Sequence, residues 1–542
     1  MKSMSNLSLF EISWEVCNVV GGIHTVLSSK IDHAKEYATN YFTIGPYKNE
    51  EEFKRQELPE QFQLIYNELK EMGITIHYGL WETQQTNAQC ILVELSGFEH
   101  ESNEIKRKLW EMYQIDSLNS SWFDFGEVIT WSWACGVVCE KFSNSLDTQH
   151  TIIHTHEWMS AGAVFYINSL KINNTQNNDQ VHNIKTVFTT HATMLGRAYY
   201  GTFNKLLVDE IGDRNPHDIA RELNVHTKYE SEYAALKYAD ISSCVSILLK
   251  EEISKLYGID EVEVSENGFN YEMSFDECIK DFNSTHTHIT QSIQDYFKPY
   301  YHVKKNMRVG IISGRYEVRS KGYDVTFKAL GELNNELKQS DNEKNIVILA
   351  PIIAGDFEEI EDFDKNIPEG IHIAPLTKHN IEADHELMQL CTNNGLLNRA
   401  EDRVKIILIP RMISKLHRVF GYEYYDILRA CDYSLFPSGY EPWGYTPHES
   451  IAYGVVTLTS KFAGFGAYWL HQHINNSVVS VVKGDEFEQR VVEVKNFVKE
   501  EYNKRASTQY REKKYALEYS RQIHWRELYQ NYAEMYEKII KQ

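Results

Sequence analysis

Residues 433–459 read YSLFPSGYEPWGYTPHESIAYGVVTLT, and this stretch contains the pattern that decides the fold. Two apolar runs, residues 433–436 and 455–459, are typical of short buried strands. Between them lie a loop rich in proline and glycine and then the start of a helix. A strand, a helix and a strand in series predict a parallel sheet covered by helices, so we assign the chain to the α/β class.

The same stretch carries two carboxylates eight positions apart, Glu441 and Glu449. Pro447 suits the first position of a helix, because its missing N–H would be unbonded there anyway. Thr446 is then the N-cap, Glu449 lies in the first helical turn, and Glu441 lies on the loop before it. Both carboxylates can face one pocket at a helix N-terminus, where backbone N–H groups also attract phosphate. The spacing T-x-x-E is equally that of a capping box, which is purely structural.

Size and charge narrow the class of protein. A chain of 542 residues is too long for one ordinary core and predicts two or more domains. The net charge, 55 − 77 = −22, argues against nucleic acid or an anionic membrane as the main partner. The start of the chain lacks an apolar signal region, and no run approaches the ~18 apolar residues that span a bilayer. Eight cysteines without metal-type spacing fit a reduced, cytoplasmic setting.

Strand-like and helix-like segments alternate along both halves of the chain, and a polar segment at residues 281–307 separates the two series. The strand candidates are residues 7–12, 151–154, 186–189, Ile241–Cys244 and 262–264, and then residues 308–312, 346–349, 405–408, 433–436, 455–459 and 478–481. We predict an N-terminal domain over 1–295, a C-terminal domain over 296–490, and helices over 491–542 that pack back on the N-terminal domain. Ligands of such sheets bind outside the carboxyl ends of the strands, which suggests a deep cleft between two facing sheets.

Two further stretches suit a phosphate. Gly21 and Gly22 precede a predicted helix and would let a phosphate approach the backbone, although a plain turn is the commoner reason for such a pair. Arg315 and Lys321 follow a strand in SGRYEVRSKG, with Arg319 between them. A guanidinium fork and an ammonium would stabilise a departing diphosphate. The alternative is two solvated surface charges.

The string HTHEW at residues 154–158 does not have the spacing of a metal site. It lacks H-E-x-x-H, and alternating residues at a strand end are expected to point opposite ways, so we expect no metal ion. His191 in FTTHATMLGR follows a strand candidate, and Tyr424 in GYEYYDILRAC precedes a helix. Taken alone, a histidine of this kind is more often a structural residue, and a tyrosine there more often belongs to the core.

Taken together, these strings resemble the glycogen synthases of the animal and fungal type, glycosyltransferase family 3. EISWEVCNVVGGIHTV is similar to the family's EVANKVGGIYTV-type motif, HTHEW to its HFHEW element, and GRYEVRSKG to its GRYE-x-x-x-KG element. FPSGYEPWGYTPHESIAYG, with the later SKFAGFG, resembles its E-x7-E signature. Asn267 and Gly268 resemble its PNG element, with Glu266 in place of proline. The resemblance runs from about residue 10 to about residue 532.

This resemblance implies a GT-B fold, in which two Rossmann-like domains face each other across a deep cleft, with the acceptor on the N-terminal side. It implies retaining transfer of glucose from UDP-glucose to the non-reducing 4-OH of an α-1,4-glucan, as in glycogen biosynthesis. We expect neither a cofactor nor a metal, and UDP-glucose and glycogen as partners rather than nucleic acid or a membrane. We also expect a homo-oligomer.

The resemblance also assigns roles to individual residues. Its catalytic set is Glu441, Arg315, Lys321 and His191. Its donor-binding set is Gly21, Gly22, Arg197, Tyr424, Thr446, Glu449, Gly464 and Gly466. Its cleft-lining set is His154, His156, Glu157 and Asn267. In these sets Glu441 stabilises positive character at the anomeric carbon, the two cations hold the diphosphate, and His191 fixes the sugar. Glu449 holds the ribose, and Tyr424 stacks on uracil.

The chain departs from the family in three places. Val19 stands where the family has lysine or arginine, which could weaken anion binding. Only about twenty residues separate Ala354 from Thr377, where animal and fungal members carry a long helical insertion, so tetramer packing of the family's kind is in doubt. The arginines of the tail are spread out, so we expect a shorter form without strong activation by glucose-6-phosphate; they are Arg505, Arg511, Arg521 and Arg526.

Two alternatives stay open. One is another retaining GT-B transferase that uses ADP-glucose or a small sugar acceptor. The other is a weakly active glucan-binding protein, for which Val19 is the supporting feature.

Overall fold

The computed structural model of the chain describes residues 4–18, 21–48, 51–83, 86–173, 183–340, 344–361, 363–364, 372–472 and 477–541. They form two compact units, the first comprising Met1–Asn270 and Ile523–Gln542 and the second Tyr271–Gln522. The boundaries predicted after residues 295 and 490 therefore fall elsewhere. Helix Phe275–Phe297 belongs to the second unit, because it packs there against helix Tyr424–Ala430.

The first unit contains a sheet of nine strands in the described residues, ordered β3-β4-β5-β2-β1-β6-β7-β8-β9. The strands are β1 (Met4–Ile12), β2 (Ala38–Pro46), β3 (Phe53–Arg55), β4 (Ile74–Glu82), β5 (Asn87–Leu95), β6 (His150–His156), β7 (Ile184–Thr190), β8 (Ile241–Cys244) and β9 (Glu263–Val264). All neighbours are parallel except that β4 runs antiparallel to both β3 and β5. The sheet is thus mixed at one edge, where we had predicted only parallel strands.

The second unit contains a sheet of seven parallel strands in the described residues, ordered β11-β12-β10-β14-β15-β16, with β13 beside β12. The strands are β10 (Met307–Ile311), β11 (Gly314–Arg315), β12 (Asn345–Ile353), β13 (Val404–Ile409), β14 (Tyr433–Leu435), β15 (Val456–Ser460) and β16 (Val479–Val482). Strands β12 and β13 are covered on both faces, which explains their nearly continuous apolar sequences NIVILAPII and VKIILI. Six strand candidates predicted for this half overlap observed strands.

Helices cover the sheet of each unit. In chain order they are α1 (Gly22–Tyr37), α2 (Gln63–Glu71), α3 (Ser102–Tyr113), α4 (Glu127–Ser143), α5 (Ala161–Asn173), α6 (Met194–Phe203), α7 (Leu207–Glu210), α8 (Pro216–Glu222), α9 (His226–Tyr238), α10 (Ile247–Tyr257), α11 (Phe275–Phe297), α12 (Tyr323–Lys338), α13 (Glu386–Asn393), α14 (Tyr424–Ala430), α15 (Tyr445–Ala452), α16 (Gly464–His471), α17 (Phe487–Asn503), α18 (Ala506–Ser520) and α19 (Trp525–Ile540). Within the described part of the chain, no helix combines the length and apolar character needed to cross a bilayer.

The last helix, α19, belongs to the first unit, whereas α17 and α18 belong to the second. One face of α19 packs on α1, where Tyr37 donates a hydrogen bond to the carbonyl of Ala533 at 3.1 Å. The indole N–H of Trp525 also reaches Ser29 Oγ at 2.7 Å. Of the predicted C-terminal helices, only α19 therefore joins the N-terminal part of the chain.

In both sheets the sequence motifs follow the carboxyl ends of strands. In the first unit the glycine turn follows β1, and His191 follows β7. In the second unit Lys321 follows β11, and Glu441 follows β14. Parallel strands bring these ends to one edge of each sheet, where ligands of α/β folds bind.

Candidate functional site

The turn between β1 and α1 contains the predicted glycine pair, and α1 begins at Gly22 as expected. The backbone N–H groups of Gly21 and His24 donate to one acceptor, Oε2 of Glu15, each at 2.9 Å. A carboxylate of the protein itself therefore occupies the helix N-terminus at which we expected a phosphate. Val19, where the family's cation is missing, lies outside the described residues.

His154 and His156 lie on β6 itself rather than on a turn after it. Two apart on a strand, they share one face, and their rings stack with centroids 4.3 Å apart. The expectation that the residues of this string point opposite ways is wrong for these two. Both face Glu11 of β1, whose Oε1 lies 3.5 Å from Nδ1 of His154 and 3.4 Å from Nε2 of His156.

Glu11 lies at the centre of a buried polar cluster. The ammonium of Lys30 lies 2.5 Å from its Oε1, and the hydroxyl of Tyr41 lies 2.5 Å from its Oε2. Burial by itself raises the pKa of Glu11, but Lys30 and the two imidazoles outweigh burial and hold that pKa well below its usual range. The carboxylate is therefore ionised at neutral pH and anchors β1, α1 and β2 to one another.

Glu11, His154 and His156 could ligate a metal ion, because one ligand atom from each lies within 4.8 Å of the others. The Lys30 ammonium already pairs with Glu11, however, and would repel a second cation. His154 is also committed through Nδ1, which lies 2.7 Å from the hydroxyl of Tyr536. These residues fit an internal ion pair better than a metal ion, and the expected absence of a metal stays a prediction.

His191 is tied to this cluster through His156. Nε2 of His191 lies 2.9 Å from Nδ1 of His156. Burial lowers the pKa of both imidazoles, that of His156 to about 4, so both rings are neutral at neutral pH. The carboxylate of Glu11 favours a proton on Nε2 of His156, whose Nδ1 must then accept from Nε2–H of His191. Nδ1 of His191 is left as a hydrogen-bond acceptor.

Two carboxylates fix the backbone on either side of His191. Oε1 of Glu157 accepts the N–H groups of His191 and Ala192, each at 3.0 Å. Glu157 itself has φ +69°, a conformation that a residue with a side chain adopts when its surroundings hold it there. Glu232 accepts the hydroxyl of Thr190 at 2.7 Å and the first N–H of α6 at 2.8 Å. Burial raises the pKa of Glu157 to about 8 and that of Glu232 to about 7.

The remaining predicted residues of the first unit differ in character. Arg197 on α6 is exposed, and its charge lowers the pKa of Glu157 against the larger effect of burial. Asn267 is buried beside Gly268, where a Cβ would lie 2.7 Å from the backbone of Trp525. Asn267 therefore lies in the packing beneath α19, and a role in lining a cleft stays a prediction.

In the second unit, Lys321 and Glu441 are in direct contact. The Lys321 ammonium donates to Oε2 of Glu441, and each side chain is 21% exposed. Gly322, the next residue, has φ +70°, and a Cβ there would lie 2.2 Å from the carbonyl oxygen of Pro437. Because only glycine fits this approach, the backbone beside Lys321 is held against the loop that carries Glu441.

Arg315 does not join this pair. Its side chain is 53% exposed and forms a 3.0 Å ion pair with Glu317. Each of the two predicted phosphate-binding cations thus has a carboxylate partner, Glu441 for Lys321 and Glu317 for Arg315. A diphosphate would have to replace carboxylate oxygens at both.

The helix after this loop begins earlier than predicted. Helix α15 starts at Tyr445 with Gly444 as its N-cap, so Thr446 is its second residue and Pro447 its third. The N-cap makes no side-chain hydrogen bond, and the capping box that T-x-x-E suggested is not formed. Gly444 takes φ +99°, which tightens the turn before the helix.

Glu449 is buried and points toward two tyrosines at the start of α14. Its Oε1 accepts the hydroxyl of Tyr425 at 3.0 Å. Burial raises the pKa of Glu449 to about 7, and the Tyr425 hydroxyl opposes this shift. Tyr424 packs edge-on against Tyr425 at 5.2 Å between ring centroids, and its hydroxyl lies 2.8 Å from Ser313 Oγ.

Gly464 and Gly466 open α16. The N–H of Gly464 donates to the carbonyl of Glu441 at 2.9 Å, so this donor is already used inside the protein. A Cβ at Gly466 would lie 2.0 Å from the carbonyl oxygen of Ser460, so glycine is needed for α16 to pack against β15. The N–H of Gly464 thus holds the Glu441 loop, and its contact with a phosphate stays a prediction.

Several residues of these clusters were not predicted, and they are Glu11, Glu15, Lys30, Glu232 and Tyr425. A charge inside the apolar run LSLFEI was the available signal for Glu11, because carboxylates are almost never fully buried unless paired. Lys30 and Glu232 lie on helices whose sequences carry no such signal.

Comparison with known proteins bears on the family. The family model described as glycogen synthase matches residues 11–359 and 369–542. The liver glycogen [starch] synthase of Rattus norvegicus is 26% identical over 541 residues, covering 87% of this chain and 74% of that protein. Isoform 2 of glycogen [starch] synthase from Saccharomyces cerevisiae is 28% identical over 556 residues, which cover 86% of this chain and 76% of that protein.

Solved structures bear on the fold. The catalytic domain of starch synthase IV from Arabidopsis thaliana, bound to ADP and acarbose, gives a TM-score of 0.60 at 13% identity and covers 99% of this chain and 100% of that one. An E. coli structure described as trehalose-6-phosphate bound with UDP-2-fluoro glucose gives a TM-score of 0.52 at 11% identity, and 99% of each chain is covered. These likenesses confirm the predicted α/β fold of the GT-B type. With a family model that matches nearly the whole length, the chain belongs to the glycogen synthase family.

Proposed function

We propose that the protein transfers glucose from UDP-glucose to the non-reducing 4-OH of an α-1,4-glucan, with retention at the anomeric carbon. The contact between Lys321 and Glu441 is the observation that carries this proposal. It joins a cation suited to a diphosphate with a carboxylate suited to a positively charged sugar carbon. The names of the rat and yeast relatives support a glucan as the acceptor.

The roles follow from what each group can do. Lys321 exchanges Glu441 for a phosphate oxygen when the donor binds, and Arg315 releases Glu317 in the same way. The freed carboxylate of Glu441 then stabilises positive charge at the anomeric carbon as its bond to the diphosphate breaks. The departing phosphate oxygen takes the proton of the acceptor 4-OH, whose oxygen bonds to the carbon on the face that UDP leaves.

Other residues position the donor. Nδ1 of His191 accepts a hydroxyl of the donor glucose, Glu449 accepts the ribose hydroxyls, and Tyr424 stacks on the uracil. We propose that no metal ion takes part, since Lys321 and Arg315 supply the positive charge. We also propose a cytoplasmic homo-oligomer, whose mass light scattering would measure.

Incorporation of labelled glucose into glycogen tests the proposal, with UDP-glucose and ADP-glucose run side by side and with EDTA in a third reaction. We expect incorporation from UDP-glucose, unchanged by EDTA, and a new linkage with the α-anomeric signal in NMR. Incorporation from ADP-glucose alone would overturn the donor assignment and keep the reaction class. Glycogen binding without incorporation from either donor would favour the glucan-binding alternative.

A further inference from the structure

The first unit has a pocket of about 250 Å³ at the edge of its sheet. Its walls come from the residues that follow β1, from the last residues of β2 and β5, and from the start of α4. These three strands are parallel to one another, so the pocket lies at their carboxyl ends. The candidate donor-site residues of this unit lie at that same edge, where α/β sheets bind ligands.

Aromatic rings form much of the pocket wall. Trp14, Tyr47, Trp122 and Trp131 all line it. Trp14 meets Trp131 edge to face, with ring centroids 4.9 Å apart. Trp14, Tyr47 and Trp122 are partly exposed. The Tyr47 ring stacks on His77 at 3.7 Å between centroids, and the Lys48 ammonium lies 4.9 Å from the centroid of the Trp14 ring, so a ligand would displace Lys48 to stack there. Flat aromatic faces suit a ligand that has both apolar C–H surfaces and hydroxyl groups.

One wall residue has an unsatisfied donor. Trp131 is 2% exposed, and its indole N–H has no hydrogen-bond acceptor among the residues that the structure describes. A buried donor without a partner costs roughly 1–3 kcal/mol. The nitrogen itself is enclosed, so an acceptor reaches this donor only if the surrounding side chains move.

The polar residues of the pocket determine which charge it accepts. Glu94 pairs with His77 at 2.8 Å through Oε2, and Glu127 pairs with Lys48 at 2.8 Å through Oε1. The third carboxylate, Glu99, is exposed and forms no ion pair with another residue that the structure describes. Three carboxylates against one ammonium repel phosphate-bearing ligands, whereas the free carboxylate oxygens are good acceptors for hydroxyl groups.

We propose that this pocket binds one glucosyl unit of the α-1,4-glucan, which stacks on Trp14 and Trp122 and donates its hydroxyls to the carboxylates. The inference rests on the proposed function, since it supplies a holding site for the acceptor of that reaction. Trp14 belongs to the same turn as Glu15, whose carboxylate caps α1 at Gly21. The glucan is thereby held next to the turn at which α1 begins.

The test compares Trp14→Ala and Trp122→Ala with Trp110→Ala in the full-length protein. Trp110 is a matched control, because it is 46% exposed on α3 and does not line the pocket. Isothermal titration with maltoheptaose, without nucleotide, measures glucan binding directly. Initial rates then give the KM for glycogen and the KM for UDP-glucose.

We expect each pocket variant to weaken maltoheptaose binding and to raise the KM for glycogen by about three- to tenfold, the usual effect of losing one aromatic contact. The KM for UDP-glucose should be unchanged in the pocket variants. The Trp110→Ala protein should keep the wild-type values for maltoheptaose binding and for both KM values. Unaltered glucan binding in both pocket variants would overturn the proposal, as would weaker UDP-glucose binding with glucan binding intact. Because the titration needs no turnover, failure of the pocket is distinguishable from failure of the proposed transferase activity.

Discussion

Lowering the pH through neutrality should weaken the binding of UDP-glucose, through the carboxyl group of Glu449. Burial raises the pKa of that group to about 7, so it is charged at pH 8 and mostly neutral at pH 6. A hydrogen bond to a charged acceptor contributes about 1.5–3 kcal/mol, against about 0.5–1.5 kcal/mol for a neutral one. The difference of roughly 1–1.5 kcal/mol corresponds to an affinity about five- to tenfold lower at the acid end.

Isothermal titration of UDP-glucose at several pH values between about 6 and 8 measures this effect, since the diphosphate diester does not change its own charge there. The Glu449→Gln variant is the control, because its amide is neutral throughout. We expect the variant to bind with the wild-type affinity of pH 6 at every pH. If the variant keeps the pH dependence, the titrating group lies elsewhere, for example at Glu157 or Glu232, and the reasoning about Glu449 is refuted.

The remaining predictions concern catalysis, stability and regulation. Glu441→Ala should lower turnover by about 10²–10³-fold while the fold and UDP binding are largely kept, and near-normal turnover would contradict its assignment. Glu11→Gln should lower the free energy of unfolding by about 3–5 kcal/mol, because it leaves the Lys30 ammonium buried without its counter-charge. Glu488→Ala, which removes an exposed ion pair with Lys328, is the control for both of these variants. Chemical denaturation should show that Glu488→Ala lowers the free energy of unfolding by no more than about 1 kcal/mol. An equal loss in Glu11→Gln and Glu488→Ala would refute the argument about Glu11. Glucose-6-phosphate should raise the rate of glucose incorporation only weakly, and several-fold activation would show that the dispersed arginines of the tail are an effector site.

The sequence predicted the strands best where both faces are buried. Ile241–Cys244 was predicted to the residue, and all four of its residues are buried although two are serines. The hairpin of β4 and β5 was not predicted, since the sequence of β4, ITIHYGLWE, lacks the continuous apolar run of the central parallel strands. The predicted start of α15 at Pro447 was also wrong. The helix begins at Tyr445, because Gly444 in a left-handed conformation is its N-cap.

The motifs brought some predicted site residues together and left others apart. Lys321 donates a hydrogen bond to Glu441, and His156 and His191 are hydrogen-bonded to each other. Each pair joins residues on or after strands of one sheet. Arg315 instead pairs with its near neighbour Glu317, because both are exposed on the same short strand end. Nothing in a glycine pair reveals that a carboxylate six residues before Gly21 will accept the N–H of that glycine.

By itself the sequence determined the α/β class, the order of strands and helices in each half, and the motifs that identify the family. These depend on local hydrophobic periodicity and turn chemistry, which neighbouring residues encode. Only the tertiary structure decided which charges are partnered, which unit each C-terminal helix joins, and where an aromatic pocket forms. His154 and Tyr536, for instance, are 382 positions apart and lie 2.7 Å from each other. Such contacts depend on how the whole chain packs. They influence the charge and the position of a site residue, and the motif that contains this residue does not specify them.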